Sequence, residues 1–286
     1  GQITGNLDSD TYSYLYEWFP QKLKNHIGQI SQGAHQFRFT GRFGVFVDVQ
    51  KIFQQIKTKM SRIMARSNVN QDDIIVPLTN KQGQILTPEF YIVGSLCGGS
   101  GAGMFIDIAY LMKMAYYQLS GGRGKPSIIG IMLTPEAFTQ IAIDPNVNST
   151  GRLEGNGYAS LVETFYFMNK EHFPPSRSAK DIINQDRRNK FMVNYGPVGK
   201  SNDATTFGAV CEETPFDQCY LLGTSNQDDI PTYYAIASEF IFTKLATQLR
   251  QAQNSMLDNA SQILGQSSSD LEGKQLKCFS SAGFKS

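Results

Sequence analysis

The sequence has little of what marks several common classes of protein. It contains no run of about 18 apolar residues, which a membrane-spanning helix needs, and its start shows no charged-then-apolar signal segment. Its four cysteines form no CxxC pair and its three histidines are not at metal-ligand spacing, so we expect reduced thiols and no protein metal site. A net charge of +1 argues against a nucleic-acid-coating chain. We therefore expect a cytoplasmic globular protein without nucleic-acid or membrane partners.

Both ends of the sequence lack the usual signs of a complete chain. The first residue is Gly1 rather than methionine, and the strand-like run at residues 277–280 lies almost at the end. We expect an internal piece of a longer protein. One domain is predicted over residues 1–260, followed by a linker and the start of a second domain over residues 261–286.

A strand, a glycine loop, a helix and a second strand follow one another between residues 90 and 133. Residues 90–96 are apolar on both faces, as in a central parallel strand, and residues 127–133 form a second apolar run. Between them, residues 104–119 predict a helix that stops at the glycines of residues 121–124. This order predicts an α/β fold, a parallel sheet flanked by helices.

Other segments predict the remainder of this architecture. Apolar residues recur at helical spacing between residues 46 and 63, and a third buried strand at residues 216–222 precedes a long helix over about residues 232–257. Residues 144–157 predict a polar loop, residues 158–168 a helix, and residues 171–208 a surface excursion.

The glycine loop is the segment that carries chemistry: Cys97-Gly98-Gly99-Ser100-Gly101-Ala102-Gly103. Glycines let the backbone approach a phosphate closely, and a following helix adds roughly half a positive charge at its N-terminus. The Ser100 hydroxyl offers one more hydrogen bond. The loop is neither GxxxxGK[ST] nor GxGxxG. It predicts a phosphate site, and the structural alternative is a tight turn that binds nothing.

These residues resemble a known signature. Residues 95–110, SLCGGSGAGMFIDIAY, are similar to the glycine-rich loop and following helix of the tubulin/FtsZ superfamily, most of all to the bacterial tubulin-like proteins. They depart from it at Cys97, Ser100 and Ala102. The resemblance implies a Rossmann-like tubulin/FtsZ-type nucleotide-binding domain that binds GTP or GDP with Mg²⁺. It also implies self-association head to tail into filaments, with GTP hydrolysis shared across the subunit contact, and a first strand located before Gly1.

The resemblance also assigns residues outside the loop. It implies terminal-phosphate contacts from the glycine-flanked loop of residues 33–42, a ribose contact, a base-reading asparagine, a base-stacking tyrosine and an acidic residue that orients water in the next subunit. The corresponding residues are Gly33, Ala34, Arg38, Arg42, Glu154, Asn226, Tyr233 (or Tyr234) and Asp258. The arginines, the glutamate, the tyrosines and the aspartate also have ordinary structural alternatives: surface arginines, a solvated glutamate, core tyrosines and a helix-capping aspartate.

Three functions are compatible with these patterns. The first is a GTP-binding, self-assembling tubulin-like protein, and the second is a non-catalytic scaffold on the same fold. Ala102 and the absence of a second asparagine at Ala237 and Ser238 favour the scaffold. The third is an unrelated α/β enzyme that binds a phosphorylated small molecule at residues 98–103.

Overall fold

The structure is a computed structural model that describes residues 15, 18–19, 22, 33–34, 36–66, 88–122, 124–138, 150–169, 192–195, 208–210, 214–223, 230–246 and 280–281. Within these ranges the helices are α1 (Arg38–Val47), α2 (Val49–Arg66), α3 (Ser100–Ser120), α4 (Thr150–Asn169) and α5 (Ile230–Ala246). The strands are β1 (Glu89–Ser95), β2 (Ser127–Leu133), β3 (Met192–Asn194), β4 (Gly208–Val210), β5 (Gln218–Leu222) and β6 (Ser280–Ser281). A 3-10 helix follows β2 at Pro135–Phe138. The predicted linker at residues 262–273 lies outside the described residues.

Four strands form a parallel sheet in the order β1-β2-β5-β6. At one end of the β1–β2 pair Ser127 donates its N–H to Pro88, and at the other end Leu96 donates to Leu133. Both strands therefore run in the same direction. The backbone hydrogen bonds at the two ends of the β2–β5 pair and the register of β5 with β6 show that these strands are parallel as well. The prediction of an α/β fold with a parallel sheet is confirmed.

The apolar run of residues 90–96 does not form a fully buried strand. β1 lies at one edge of the described sheet, and the side chain of Val93 is 42% exposed. The strand buried on both faces is β2, which is buried from Ile128 to Leu133. The prediction of burial on both faces for residues 90–96 is therefore wrong, because an apolar run alone does not say which strands flank it.

Glycines end helix α3 as predicted. Gly121 adopts a left-handed conformation with φ 63°, and its N–H and that of Gly122 both reach the carbonyl oxygen of Tyr117. A glycine in this conformation satisfies the last carbonyls of a helix without a steric penalty.

The predicted amphipathic helix between residues 46 and 63 is two helices. α1 ends before Asp48, whose backbone departs from helical geometry at φ −107° and ψ 19°, and α2 starts at the next residue. The apolar spacing is nevertheless correct, because Val49, Phe53 and Met60 are buried along one side of α2.

The chain forms two units. Unit 1 comprises Gly1–Ile92, Gly98–Ile129 and Asp186–Asp217, and unit 2 comprises Val93–Cys97, Gly130–Gln185 and Gln218–Ser286. The domain boundary predicted at residue 260 remains a prediction.

Each unit has its own aromatic core. In unit 1 the ring of Phe46 lies 4.9 Å from that of Trp18 and 5.0 Å from that of Tyr195, measured between centroids. In unit 2 the ring of Tyr220 on β5 lies 4.6 Å from that of Phe240 on α5. Burying such rings removes large apolar areas from water and stabilises each unit.

The segment of residues 171–208 is only partly the predicted surface excursion. β3 pairs with β4 in antiparallel register, and Tyr195 directly after β3 is 1% exposed. Its buried position depends on a tertiary contact with Phe46, which the local sequence does not reveal.

Candidate functional site

The predicted glycine loop is shorter in the structure. Helix α3 begins at Ser100 with Gly99 as its N-cap residue, and Gly103 donates its N–H to the carbonyl oxygen of Gly99 at 3.1 Å. The prediction that the helix starts at Met104 is therefore wrong, and Ser100-Gly101-Ala102-Gly103 is its first turn. Glycine disfavours a helix by only about 1 kcal/mol per residue, which tertiary packing can exceed.

The N-terminus of α3 carries backbone N–H groups that have no acceptor within the helix, as at every helix start. Among the described residues no side chain caps this end, and the first turn contains no acidic residue. The helix dipole adds roughly half a positive charge here. A phosphate oxygen is the kind of acceptor that these groups bind.

The glycines around this turn serve two different purposes. An added Cβ on Gly98 would meet no described atom within 4 Å, and Gly98 is not among the glycines with positive φ. The fold itself therefore does not require glycine at position 98. A glycine that the fold does not need leaves room for a ligand close to the backbone.

Gly103 and Gly41, in contrast, are needed for packing within unit 1. A Cβ on Gly103 would overlap the carbonyl oxygen of Arg38 and lie 3.0 Å from the N atom of Arg42. A Cβ on Gly41 would overlap the carbonyl oxygen of Gly99. Helices α1 and α3 thus cross with their backbones in direct contact.

Both predicted phosphate-binding arginines hold α1 against α3. The Nε of Arg38 donates to the carbonyl oxygen of Ala102 at 3.2 Å, and the Nε of Arg42 lies 3.0 Å from Oδ2 of Asp107. The guanidinium carbon of Arg42 also lies 4.7 Å from the centroid of the Trp18 ring. These contacts give each arginine a structural role, and its role toward phosphate remains a prediction.

The upstream segment of residues 33–42 is a helix from Arg38 onwards, so the prediction of a loop there is wrong. Gly33 has φ +91°, and Ala34 is buried and accepts a hydrogen bond from the N–H of Phe37 at 2.9 Å. Gly33 and Ala34 thus form the turn into α1, and the structure does not test their predicted contact with the terminal phosphate.

In unit 2 a carboxylate lies at the carboxyl ends of β2 and β5. A Cβ on Gly223, directly after β5, would overlap the Thr134 hydroxyl and lie 3.5 Å from Oε2 of Glu136. The Thr134 hydroxyl donates to the carbonyl oxygen of Leu222 at 3.2 Å. Ligands of parallel α/β sheets collect at this edge, and Glu136 is exposed there. The family resemblance assigned the ribose contact to Glu154.

Glu154 lies on a helix rather than on a loop. α4 starts at Thr150, so the prediction of a polar loop through residue 157 is wrong. A Cβ on Gly157 would overlap Cγ of Pro135, which shows that α4 packs tightly on the 3-10 helix at this glycine. That tertiary contact offsets the low helix propensity of a segment rich in glycine and asparagine. Glu154 itself is an exposed side chain of α4.

The end of β1 is buried and held by hydrogen bonds from α4. Asn156 donates through Nδ2 to the carbonyl oxygen of Cys97 at 2.8 Å, and Ser160 donates through Oγ to that of Leu96 at 3.0 Å. The sequence pattern gave no role to these two side chains. Their spacing of four residues was the only available signal.

The thiol of Cys97 is protonated near neutral pH. Burial is the main cause that raises the pKa of this thiol, the charge of Glu136 raises it too, the hydrogen bond with Ser95 lowers it, and the resulting pKa is about 11. Because the thiolate is the reactive form, a thiol with this pKa stays inert near neutral pH.

A family model described as "Tubulin like" matches residues 2–286. The chain belongs to this tubulin-like family. The resemblance seen in residues 95–110 is thereby confirmed at the level of the family, and an enzyme of an unrelated α/β family is excluded. Comparisons with curated proteins and with solved structures gave no match.

In this tubulin-like protein the two adjacent tyrosines of α5 differ sharply. The side chain of Tyr233 is 2% exposed and that of Tyr234 is 54% exposed. A ring that stacks on a base must offer a face to it, so Tyr234 suits the predicted stacking role and Tyr233 is a core residue. Asn226 and Asp258, the predicted base-reading and water-orienting residues, lie outside the described residues.

Within the described residues of this tubulin-like chain, no group of three or more His, Cys, Asp or Glu side chains is arranged to hold a metal ion. Across the same part of the chain, no helix has the length and apolar character needed to cross a membrane.

Proposed function

We propose that this tubulin-like protein, of the bacterial kind, binds GTP and self-associates head to tail. The N–H groups of Gly98 and of the first turn of α3 hold the phosphates, and the Ser100 hydroxyl donates one further hydrogen bond. The observation that carries this proposal is Gly98: its backbone is open to a ligand, and the fold itself does not require glycine there.

The chemistry of the site fits a phosphate group. The first turn of α3 combines N–H groups that no described side chain caps, a hydroxyl and the positive end of a long helix, and the turn itself holds no acidic residue that would repel an anion. Bound Mg²⁺ neutralises phosphate charge, and its ligands are mostly phosphate oxygens and water, so few protein carboxylates are needed.

The remaining contacts follow the family resemblance, with two replacements. Glu136, which lies at the carboxyl ends of β2 and β5, takes the ribose contact instead of Glu154. Tyr234, whose ring is exposed, takes the stacking contact instead of the buried Tyr233. Asn226 reads the base. Hydrolysis, shared across the subunit contact, depends on Asp258, which orients water for the neighbouring subunit.

The test begins with the purified 286-residue chain. Denaturing it and separating the released small molecules by chromatography identifies any co-purified nucleotide. Calorimetric titration with GTP, GDP and ATP then measures affinity, and sedimentation with each nucleotide measures assembly. We expect GTP to bind most tightly and to increase the pelleted fraction. A chain that neither retains nor binds a guanine nucleotide would contradict the proposal.

A second candidate is a scaffold on the same fold that assembles without nucleotide. The pairing of Arg42 with Asp107 and the burial of Tyr233 favour it, because both residues are occupied within the protein. The variant Gly101→Val distinguishes the two functions, since a bulky side chain in the first turn of α3 obstructs an anion. Assembly survives this change in a scaffold and is lost in a GTP-dependent polymer, provided that circular dichroism shows a folded chain.

A further inference from the structure

Helix α4 donates two hydrogen bonds to consecutive carbonyl groups at the end of β1. Asn156 reaches the oxygen of Cys97 at 2.8 Å, and Ser160 reaches that of Leu96 at 3.0 Å. The two donors are one turn apart on α4 and lie on the same face of the helix. Ser160 is fully buried, and both acceptors belong to buried residues.

These bonds fix the orientation of two peptide groups. In a trans peptide the N–H points opposite to the C=O, so a donor on the carbonyl side also determines where the N–H points. The peptide that follows Leu96 is held on both sides, because the N–H of Cys97 donates to the hydroxyl of Ser95 at 3.0 Å. Its N–H is thus already satisfied within the protein.

The next peptide differs in this respect. Asn156 holds the carbonyl of Cys97, and the N–H on the opposite side belongs to Gly98. Among the described residues this N–H has no hydrogen-bond acceptor, and a Cβ on Gly98 would meet no described atom within 4 Å. Asn156 therefore holds a peptide whose N–H points away from Asn156 and has no acceptor in the described part of the chain.

We propose that Asn156 is a positioning residue that orients the Gly98 N–H for an anionic oxygen, an inference that rests on the proposed binding of a nucleotide phosphate. Ser160 is the matched structural residue, because its hydrogen bond orients a peptide whose N–H is occupied by Ser95. Replacing Asn156 releases the Gly98 peptide, whereas replacing Ser160 releases a peptide that does not face the ligand.

The test compares Asn156→Leu, which is nearly isosteric and cannot donate, with Ser160→Ala. Glycines of the full chain are labelled with ¹⁵N, and the Gly98 amide resonance is identified by its loss in Gly98→Ala. Without nucleotide, Asn156→Leu is expected to shift this resonance and Ser160→Ala to leave it in place. GTP affinity measured by calorimetry is expected to fall about three- to tenfold in Asn156→Leu, the range for one neutral hydrogen bond. In Ser160→Ala it is expected to stay within about twofold.

The controls separate positioning from loss of fold and from failure of the proposed function. Guanosine lacks phosphate, so its affinity is expected to be equal in wild type and Asn156→Leu. Should Asn156→Leu unfold, Asn156→Asp is isosteric, lacks the donor, and is expected to move the same resonance. An unshifted Gly98 resonance, or an equal loss of GTP affinity in the Ser160→Ala control, overturns the inference. A shifted resonance in a protein whose wild type binds no GTP overturns the proposed function and leaves the orientation of Gly98 by Asn156 intact.

Discussion

The Nε of Arg42 lies 3.0 Å from Oδ2 of Asp107, a carboxylate whose side chain is only 3% exposed in the middle of α3. The hydroxyl of Tyr195 donates to the other carboxylate oxygen at 3.0 Å. One carboxylate thus joins α1, α3 and the segment after β3 in unit 1. Hydrogen bonds to both oxygens compensate for the cost of burying its charge.

Asp107→Ala is expected to lower the free energy of unfolding by about 3 kcal/mol, because it leaves the guanidinium of Arg42 and the hydroxyl of Tyr195 without this partner. Urea denaturation measures the change. Lys51→Ala, at an exposed position of α2, is the control and is expected to change stability by less than about 0.5 kcal/mol. Equal stability of the two variants would show that the buried pair contributes nothing.

Gly103→Ala is expected to lower the stability of the protein, and Gly98→Ala is expected to weaken only the binding of GTP. A methyl group on Gly103 overlaps the backbone of Arg38, so Gly103→Ala should destabilise the protein by about 2 kcal/mol or more. A methyl group on Gly98 would meet no described atom, so Gly98→Ala should keep wild-type stability. Because the methyl group would occupy the space next to the backbone where the phosphate binds, GTP binding should weaken about tenfold. Thermal unfolding and calorimetric titration of both variants give the two readouts. A destabilised Gly98→Ala would remove the argument that this glycine serves the ligand.

Tyr233→Ala is expected to cost about 3 kcal/mol of stability, as large-to-small changes of buried aromatic residues do. Tyr234→Ala is expected to leave stability nearly unchanged and to weaken guanine-nucleotide binding, because the exposed ring is the one available for stacking. Urea denaturation and fluorescence titration with a GTP analogue check the pair. If Tyr234→Ala binds as tightly as wild type, base stacking by this residue is disproved.

Glu136→Gln is expected to reduce the preference for GTP over 2′-deoxy-GTP, and Glu154→Gln is expected to leave it unchanged. A carboxylate accepts hydrogen bonds from both ribose hydroxyls, and an amide accepts them more weakly. Competition titration with the two nucleotides measures the ratio of affinities. A ratio that changes only in Glu154→Gln would restore the assignment favoured by the sequence pattern.

Stability is expected to fall in alkaline solution because of two buried thiols. Burial raises the pKa of Cys97 to about 11 and that of Cys219 to about 12, from an ordinary 9.0. Below pH 9 both thiols are protonated in the folded and unfolded chain, so they do not affect the pH dependence. Between pH 9 and the raised pKa values only the unfolded chain releases protons, which favours unfolding as the pH rises.

Urea denaturation at pH 8, 9.5 and 10.5 measures this decline, and the double variant Cys97→Ala/Cys219→Ala is the control. The variant is expected to have lower stability at pH 8 and a shallower decline above pH 9. Parallel curves for variant and wild type would mean that the alkaline decline comes from other groups.

The local sequence pattern was sufficient to predict the central part of the fold. The apolar run at β2 and the glycines after α3 predict strand and helix end without tertiary information, and the order of segments predicts the parallel sheet. The start of α4 was not predictable, because the contact of Gly157 with Pro135 that supports it joins two separate elements. The ribose contact of Glu154 stays a prediction. The sequence does not distinguish Glu136 from Glu154, because both read as ordinary solvated glutamates, and only the position of Glu136 at the carboxyl ends of β2 and β5 sets it apart.

The packing of the fold requires glycine at positions 41 and 103 but not at position 98, and this difference affects which substitutions related sequences can carry. Gly41 and Gly103 are held by the crossing of α1 and α3, so any folded descendant must keep them, whether or not it binds a ligand. Gly98 has no such packing role among the described residues. Under the proposed function, a relative with a side chain at position 98 and intact glycines at 41 and 103 is therefore expected to keep the fold without binding a nucleotide.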